Sequence, residues 1–419
     1  MIKFAKYFFI LIFLSILYFI LIGQHGFDNR ITAQLQQKST FVPLKSSSSC
    51  IEYNEGQKSI MVSCKTATLT DIYNQLKNPN ILNKQPPNDG VWLLNANITI
   101  NPGATLNIGP SDTTWLKIIS DEKTLAYAIH VNGSLKIDSV SLTSWNPSTN
   151  NFAMSYGSRE SSGGATSKCG YNCPIEIKDQ LTHKGAPRPY LVVEPNATGT
   201  TNITNSYVGY LGYESGWGKM SAGLHYNAGD GSVIRNNNID HLYFGFYSVG
   251  VGPLVFENNI VHDSGHYGID PHTGTHDMII RNNTVYNNNG TAIICSLNCY
   301  NIVYENNKIH DNNGAGISFS RNTTNSIARN NLIYNQETPI EISASDNNKV
   351  YSNIITNSST TAGITVKAGS SNNKIYNNTI NNTQKDTFRI TSDSQNNMIY
   401  SNKVNGNIQK EMDHMQPKK

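Results

Sequence analysis

The chain has 419 residues, with 32 Lys and Arg against 29 Asp and Glu and a formal net charge of +3. Charge this sparse and this evenly mixed argues against a nucleic-acid binder, which carries a basic stripe. The polar content is mostly Asn, Ser, Thr and Gly, residues that suit turns and side-chain ladders better than amphipathic helices.

At the N-terminus, Lys3 and Lys6 precede an apolar run from Tyr7 to Gly23 interrupted only by Ser15. The run is long for the core of a signal peptide and slightly short for a spanning helix. Residues 1–23 are therefore expected to be a signal peptide or a membrane anchor. Either one places the rest of the chain outside the cytoplasm, secreted or held at the outer face of the cell membrane by residues 7–23. Residues 24–60 read as a polar linker and 61–90 as an N-terminal cap segment with a short helix around Thr70–Asn78. Residues 91–408 read as a β body and 409–419 as a polar tail.

Six cysteines fall in local pairs, Cys50 with Cys64, Cys169 with Cys173 and Cys295 with Cys299. In an exported chain this spacing predicts up to three disulfides. Zinc is the competing reading, but no further His or Cys cluster completes either C-x₃-C pair.

From Trp92 onward short alternating runs appear: Trp92–Leu94, Ile98–Ile100, Leu106–Ile108 and Leu135–Ile137, divided by Gly, Asn and Pro turns. These are strands. The stretch from Pro147 to about Pro187 has little periodicity and reads as an excursion from the β body.

Beyond it the pattern N-x-[IV] begins at Asn237, Asn259, Asn283, Asn307, Asn331, Asn353, Asn378 and Asn402, at steps of 22–25 residues. A second ladder, Leu224, Phe246, Ile269, Ile293, Ile317, Ile340 and Ile364, keeps the same period about midway between the asparagines. A coil this short has no room for a helix, so each turn must be strands and bends, each strand pairing in parallel with its copy in the next coil roughly 4.8 Å away. The Leu-x-x-Leu-x-Leu signature of a leucine-rich repeat is absent, and a propeller blade needs about forty residues or more. The fold class is therefore all-β: a right-handed parallel β-helix, a solenoid of three sheets. In the same register Arg235, Glu257, Arg281, Glu305 and Arg329 alternate in sign on successive coils. Opposite charges one strand spacing apart support the register, and their alternation cancels any field a polyanion could feel.

One coil breaks the pattern. One position after the inward aliphatics stand His225, Tyr247, Asp270, Ile294, Ser318 and Glu341. Two positions further stand Asn227, Val249, His272, Ser296, Ser320, Ser343 and Lys367. Asp270 and His272, two apart on a strand, point the same way, and Pro271 between them has no N–H for the ladder. A ladder interrupted there either displays side chains or makes a plain surface turn.

The segment Tyr267-Gly268-Ile269-Asp270-Pro271-His272, with Thr273 and His276 after it, resembles the Y-G-[IF]-D-P-H signature of mannuronan (alginate) C5-epimerases. Asn205 through Tyr213, Gly223 through Tyr226, and Gly133 through Asn146 resemble earlier coils of that family. Ser320-Arg321-Asn322 resembles a later Arg-Asn, so the likeness extends over about residues 90–405.

The resemblance implies removal of the C5 proton alpha to a uronate carboxylate and its return to the other face, on an acidic polysaccharide. His272, with an ordinary pKa of about 6.5, would be the base, Asp270 would orient or polarise it, and Tyr267 would deliver a proton from the opposite face or hold the ring oxygen. His225, Tyr247 and His276 are expected to contact substrate. Bacterial members carry an Arg after a Ser one coil beyond the His, where this chain has Leu297. Arg321 stands in the same column one coil further, roughly 10 Å from His272 along the axis, suited to a neighbouring uronate. Lys219 is a second candidate cation. No cofactor is expected, since calcium-binding nonapeptide repeats do not occur, and the chain is expected to act as a monomer. A lyase sharing the proton abstraction and a non-catalytic carbohydrate-binding β-helix are the alternative readings.

Overall fold

The computed structural model describes residues 49–408 apart from 88, 124–125, 155–186, 215–220, 359–361 and 382–385, together with 412–413. Residues 1–23, Lys219, Cys169 and Cys173 lie outside the described residues. No helix among the described residues is long and apolar enough to cross a membrane.

Three parallel sheets wind into one solenoid, of 13, 12 and 14 strands. In each coil the chain passes through sheet 1 (Ile269–His272 in one coil), then sheet 2 (Met278–Arg281), then sheet 3 (Thr284–Tyr286). The predicted short runs are all strands: Val91–Leu94, Asn97–Ile100, Thr105–Ile108 and Ser134–Asp138. The predicted helix is α1, Leu69–Leu76. It starts where the Thr68 hydroxyl and the Asp71 carboxylate cap each other's backbone N–H, and it ends at left-handed Lys77. Its Leu69 and Ile72 join the solenoid core.

Two boundaries need correction. Ile51–Asn54 and Ser59–Val62 form an antiparallel hairpin of sheet 1 that begins inside the stretch expected to be linker, and Cys50 is disulfide-bonded to Cys64 at its base. Met412–Asp413, in the expected tail, pairs antiparallel with Met398–Ile399. The physical reason is the same at both ends. The last strand of a parallel stack leaves a row of unpaired N–H and C=O groups, and a short hairpin covers it more simply than another coil. Antiparallel pairs among the described strands occur only there.

The two sequence ladders are the two structural cores of the stack. The aliphatic ladder is fully buried, with Phe246, Ile269, Ile293, Ile317, Ile340 and Ile364 in register. Each anchor asparagine is buried at a bend. Asn307, for example, donates from Nδ2 to the Ile280 carbonyl (2.9 Å) and to Asn331 Oδ1 (3.0 Å), and accepts from the Asn283 backbone N–H and Nδ2 (both 3.0 Å). Shorter polar ladders that the sequence reading did not pick out, such as Asn288–Asn312–Gln336, repeat the device at another bend. Asn307→Ala would leave two buried donors of Asn283 without an acceptor. At roughly 1–3 kcal/mol for each such group, a destabilisation of about 3 kcal/mol or more is expected in denaturant unfolding. The exposed Lys308→Ala should change little.

The alternating charges pair as their register required. Glu257 bridges Arg235 and Arg281, the latter at 2.6 Å, and Glu305 pairs with Arg329 at 2.9 Å. Equivalent positions of sheet 3 stack rings instead: His262, Tyr286, His310 and Tyr334 lie 4.7–5.1 Å apart and within 11° of parallel.

Candidate functional site

The strand Ile269–His272 is fully paired to Phe244–Val249 on its N-terminal side. On the other side only Ile269 and His272 find register partners, Ile293 and Ser296. Pro271 has no N–H to give, so the ladder opens there. Ile269 points inward, and the outward side chains of three coils, His225, Tyr247 and Asp270, form one column. The His225 ring meets Tyr247 edge-on at 4.8 Å, and its Nε2 lies 3.1 Å from Asn227 Oδ1.

Asp270 is buried, and its Oδ1 has no hydrogen-bond partner among the protein atoms. Burial pushes its carboxyl well above the usual range, with the Arg321 charge opposing. Desolvation favours its neutral form over an unpaired anion. Burial, with Asp270 adding to it, also raises the Tyr247 phenol, which therefore stays protonated at neutral pH.

His272 is half-buried, its ring 5.5 Å from that of Tyr247. Its Nδ1 lies 2.5 Å from Thr273 Oγ1, and its Nε2 lies 3.3 Å from Arg321 Nη2. A guanidinium can only donate, so Nε2 accepts and the proton sits on Nδ1, facing Thr273. Burial first and the Arg321 charge second lower the imidazole to about 4, so it is neutral at neutral pH.

Arg321 reaches closer to His272 than the expected roughly 10 Å along the axis. Its backbone is two coils from His272, but the side chain leans back across the intervening coil. Nε donates to Ser296 Oγ at 2.8 Å, Nη2 donates to the same oxygen, and Nη2 reaches His272. Spacing along the axis had measured the backbone and ignored the length of the side chain. Arg321 also sits at a left-handed bend (φ 51), as Leu297 does one coil earlier (φ 71). Ser296 is the residue the sequence reading passed over. Its signals were its place in the column between His272 and Ser320 and the Ser that precedes the Arg in the family.

Other candidates are not brought together. The Tyr267 ring packs on Phe244 and His266, ahead of the strand Ile269–His272. Tyr247 is the tyrosine beside the imidazole. His276 lies past the bend, paired with Asp277 at 2.8 Å and stacked on Tyr300. Cys295 and Cys299 are disulfide-bonded directly behind Ser296.

Residues 193–337 match the family model for a right-handed β-helix region, which agrees with the solenoid. Residues 273–407 match the model for the periplasmic copper-binding protein NosD. Among the described residues, one group of His and acidic side chains converges closely enough to share an ion: Asp240, His241 and Asp263. That group lies outside the residues matched to the NosD model.

The structure is similar to the crystal structure of the periplasmic alginate epimerase AlgG, with a TM-score of 0.59 at 20% identity over 83% of this chain and 84% of that one. A double mutant of AlgG gives 0.63 at 21% identity over the same shares. The A-module of the Azotobacter vinelandii mannuronan C5-epimerase AlgE6 gives 0.54 at 15% identity, over 78% and 86%. At these identities the likeness establishes a shared right-handed β-helix fold. No curated protein sequence matches the chain.

Proposed function

We propose that this chain is a C5-epimerase acting outside the cytoplasm on a uronate polymer, converting β-D-mannuronate-type residues to α-L-guluronate-type residues. The observation that carries the reading is one cluster: a neutral His272 whose Nε2 faces a guanidinium, which Ser296 holds in place, with a protonated phenol alongside. A C5 proton is weakly acidic because the carboxylate beside it is already negative. Abstraction therefore needs a cation on that carboxylate as charge spreads into it and a base with a free lone pair.

Arg321 supplies the cation. When the uronate carboxylate pairs with it, the Arg321 N–H leaves Nε2, and the repulsion that weakens the imidazole is offset. His272 becomes a stronger base at the moment the substrate is seated. Nε2 takes the C5 proton, the electron pair moves into the carboxylate, and C5 is reprotonated on its other face with the Tyr247 hydroxyl as donor. Solvent returns a proton to Tyr247 and removes one from His272, and no bond of the polymer is cut. Burial favours the neutral form of Asp270, which limits negative charge against the incoming carboxylate. The folds of AlgG and AlgE6, whose names state alginate or mannuronan epimerisation, support this reading.

The test is incubation of the protein with polymannuronate in deuterated water. Deuterium at C5, a rise in guluronate and no new ends absorbing in the ultraviolet are expected. Unsaturated ends would make the protein a lyase, and absence of exchange would reduce it to a binding module.

A further inference from the structure

Behind the outward face of sheet 1, a buried hydroxyl ties the bend to the end of the strand in three coils. Thr275 Oγ1 donates to the His272 carbonyl (2.8 Å), Thr323 Oγ1 to the Ser320 carbonyl (3.0 Å) and Ser370 Oγ to the Lys367 carbonyl (2.6 Å). In each case the hydroxyl stands three residues after its acceptor, and all three side chains are fully buried. The coil between the first two has Cys299 at that position. Its sulfur lies 3.5 Å from the Ser296 carbonyl oxygen, in the place of the hydroxyl. That sulfur is bonded to Cys295, so it carries no hydrogen to donate.

This coil has exchanged the hydroxyl clamp for a covalent one. A crosslink between residues only four apart closes a small loop and removes little freedom from the unfolded chain, so bulk stability is a poor reason for it. The bond sits between the two halves of the candidate site. It flanks Ser296, Leu297 and Asn298, the bend whose Ser296 hydroxyl receives two Arg321 donors. The Thr323 hydroxyl, from the bend that bears Arg321, shares its single hydrogen between the Ser320 carbonyl and the Cys295 carbonyl (2.9 Å).

We infer that the Cys295–Cys299 disulfide is a positioning clamp: it holds the Ser296 bend where that coil lacks the buried hydroxyl of its neighbours, so that Ser296 can seat Arg321 against His272. Its consequence for catalysis rests on the epimerase reading above. The clamp itself does not, and it can be tested without substrate.

The experiment follows the imidazole titration of His272 by NMR in the full chain, in wild type, Arg321→Ala, the double variant Cys295→Ala/Cys299→Ala, and Cys295→Ala/Cys299→Thr. The last restores the hydroxyl found in the adjacent coils and guards against simple loss of folding in the alanine pair. With the clamp gone, Arg321 leaves its seat and its repulsion of the imidazolium is lost. The midpoint should then rise by about one pH unit, a tenfold change in proton affinity, in Arg321→Ala and in the alanine pair. The threonine variant should keep the wild-type midpoint. An alanine pair that is folded and titrates as wild type, or a threonine variant as displaced as the alanine pair, overturns the inference. Loss of deuterium exchange in every protein, wild type included, with the titration pattern intact would count against the epimerase reading alone.

Discussion

Replacing His272 with alanine should lower C5 deuterium incorporation by about 10³-fold or more, within the range for removal of a well-placed general base, while circular dichroism and the unfolding midpoint stay close to wild type. The side chain is half-buried and its imidazole faces Thr273 and Arg321 at the surface, so little packing is lost. The wild-type pH profile gives a second readout. The free imidazole is held down to about 4 by burial and by Arg321, so its base form dominates above that pH and is lost as pH falls through it. The acid limb of kcat/KM, which reports the free protein, should therefore lie near 4 rather than near the ordinary histidine value. The limb of kcat, which reports the complex, should lie higher because a bound carboxylate offsets the Arg321 charge. Coincident limbs near 6.5 would mean that neither burial nor Arg321 holds the imidazole down in solution.

Arg321→Ala should cost about 10²–10³-fold in kcat, the usual loss when a donor to a developing oxyanion is removed, with a smaller rise in KM. A greater effect on kcat than on KM is the signature of an interaction that strengthens in the transition state. Arg321→Lys should recover little, because one ammonium cannot keep both the Ser296 hydroxyl and a carboxylate in the fork that a guanidinium spans. An effect confined to KM would instead return Arg321 to the binding of a neighbouring sugar, as the spacing of coils had first suggested.

Most of the fold was legible because a solenoid writes its contacts into the sequence at one period. Asn237 through Asn402 recur where buried amides must bond to the coils before and after, and Leu224 through Ile364 recur where the interior must stay apolar. The alternating charges from Arg235 to Arg329 were legible for the same reason, since opposite signs in one column have a register partner to neutralise. The ends were less legible. The hairpin of Ile51–Val62 answers the unpaired edge of a stack, and no repeat within the hairpin signals that edge.

The candidate site divides along the same line. By itself the sequence determined the coil on which His272 and Asp270 are displayed, because position along a strand decides which way a side chain points and Pro271 marks where the ladder opens. Only the tertiary structure decided which side chains meet there. It set Tyr247 rather than Tyr267 beside the imidazole, and it brought Arg321 back across Ser296 to His272 from two coils away. It also buried Asp270, which pushes that carboxyl well above its usual range. Register fixes where backbones stand, whereas the reach of a guanidinium and the burial of a carboxyl depend on the neighbours that stacked coils bring around them.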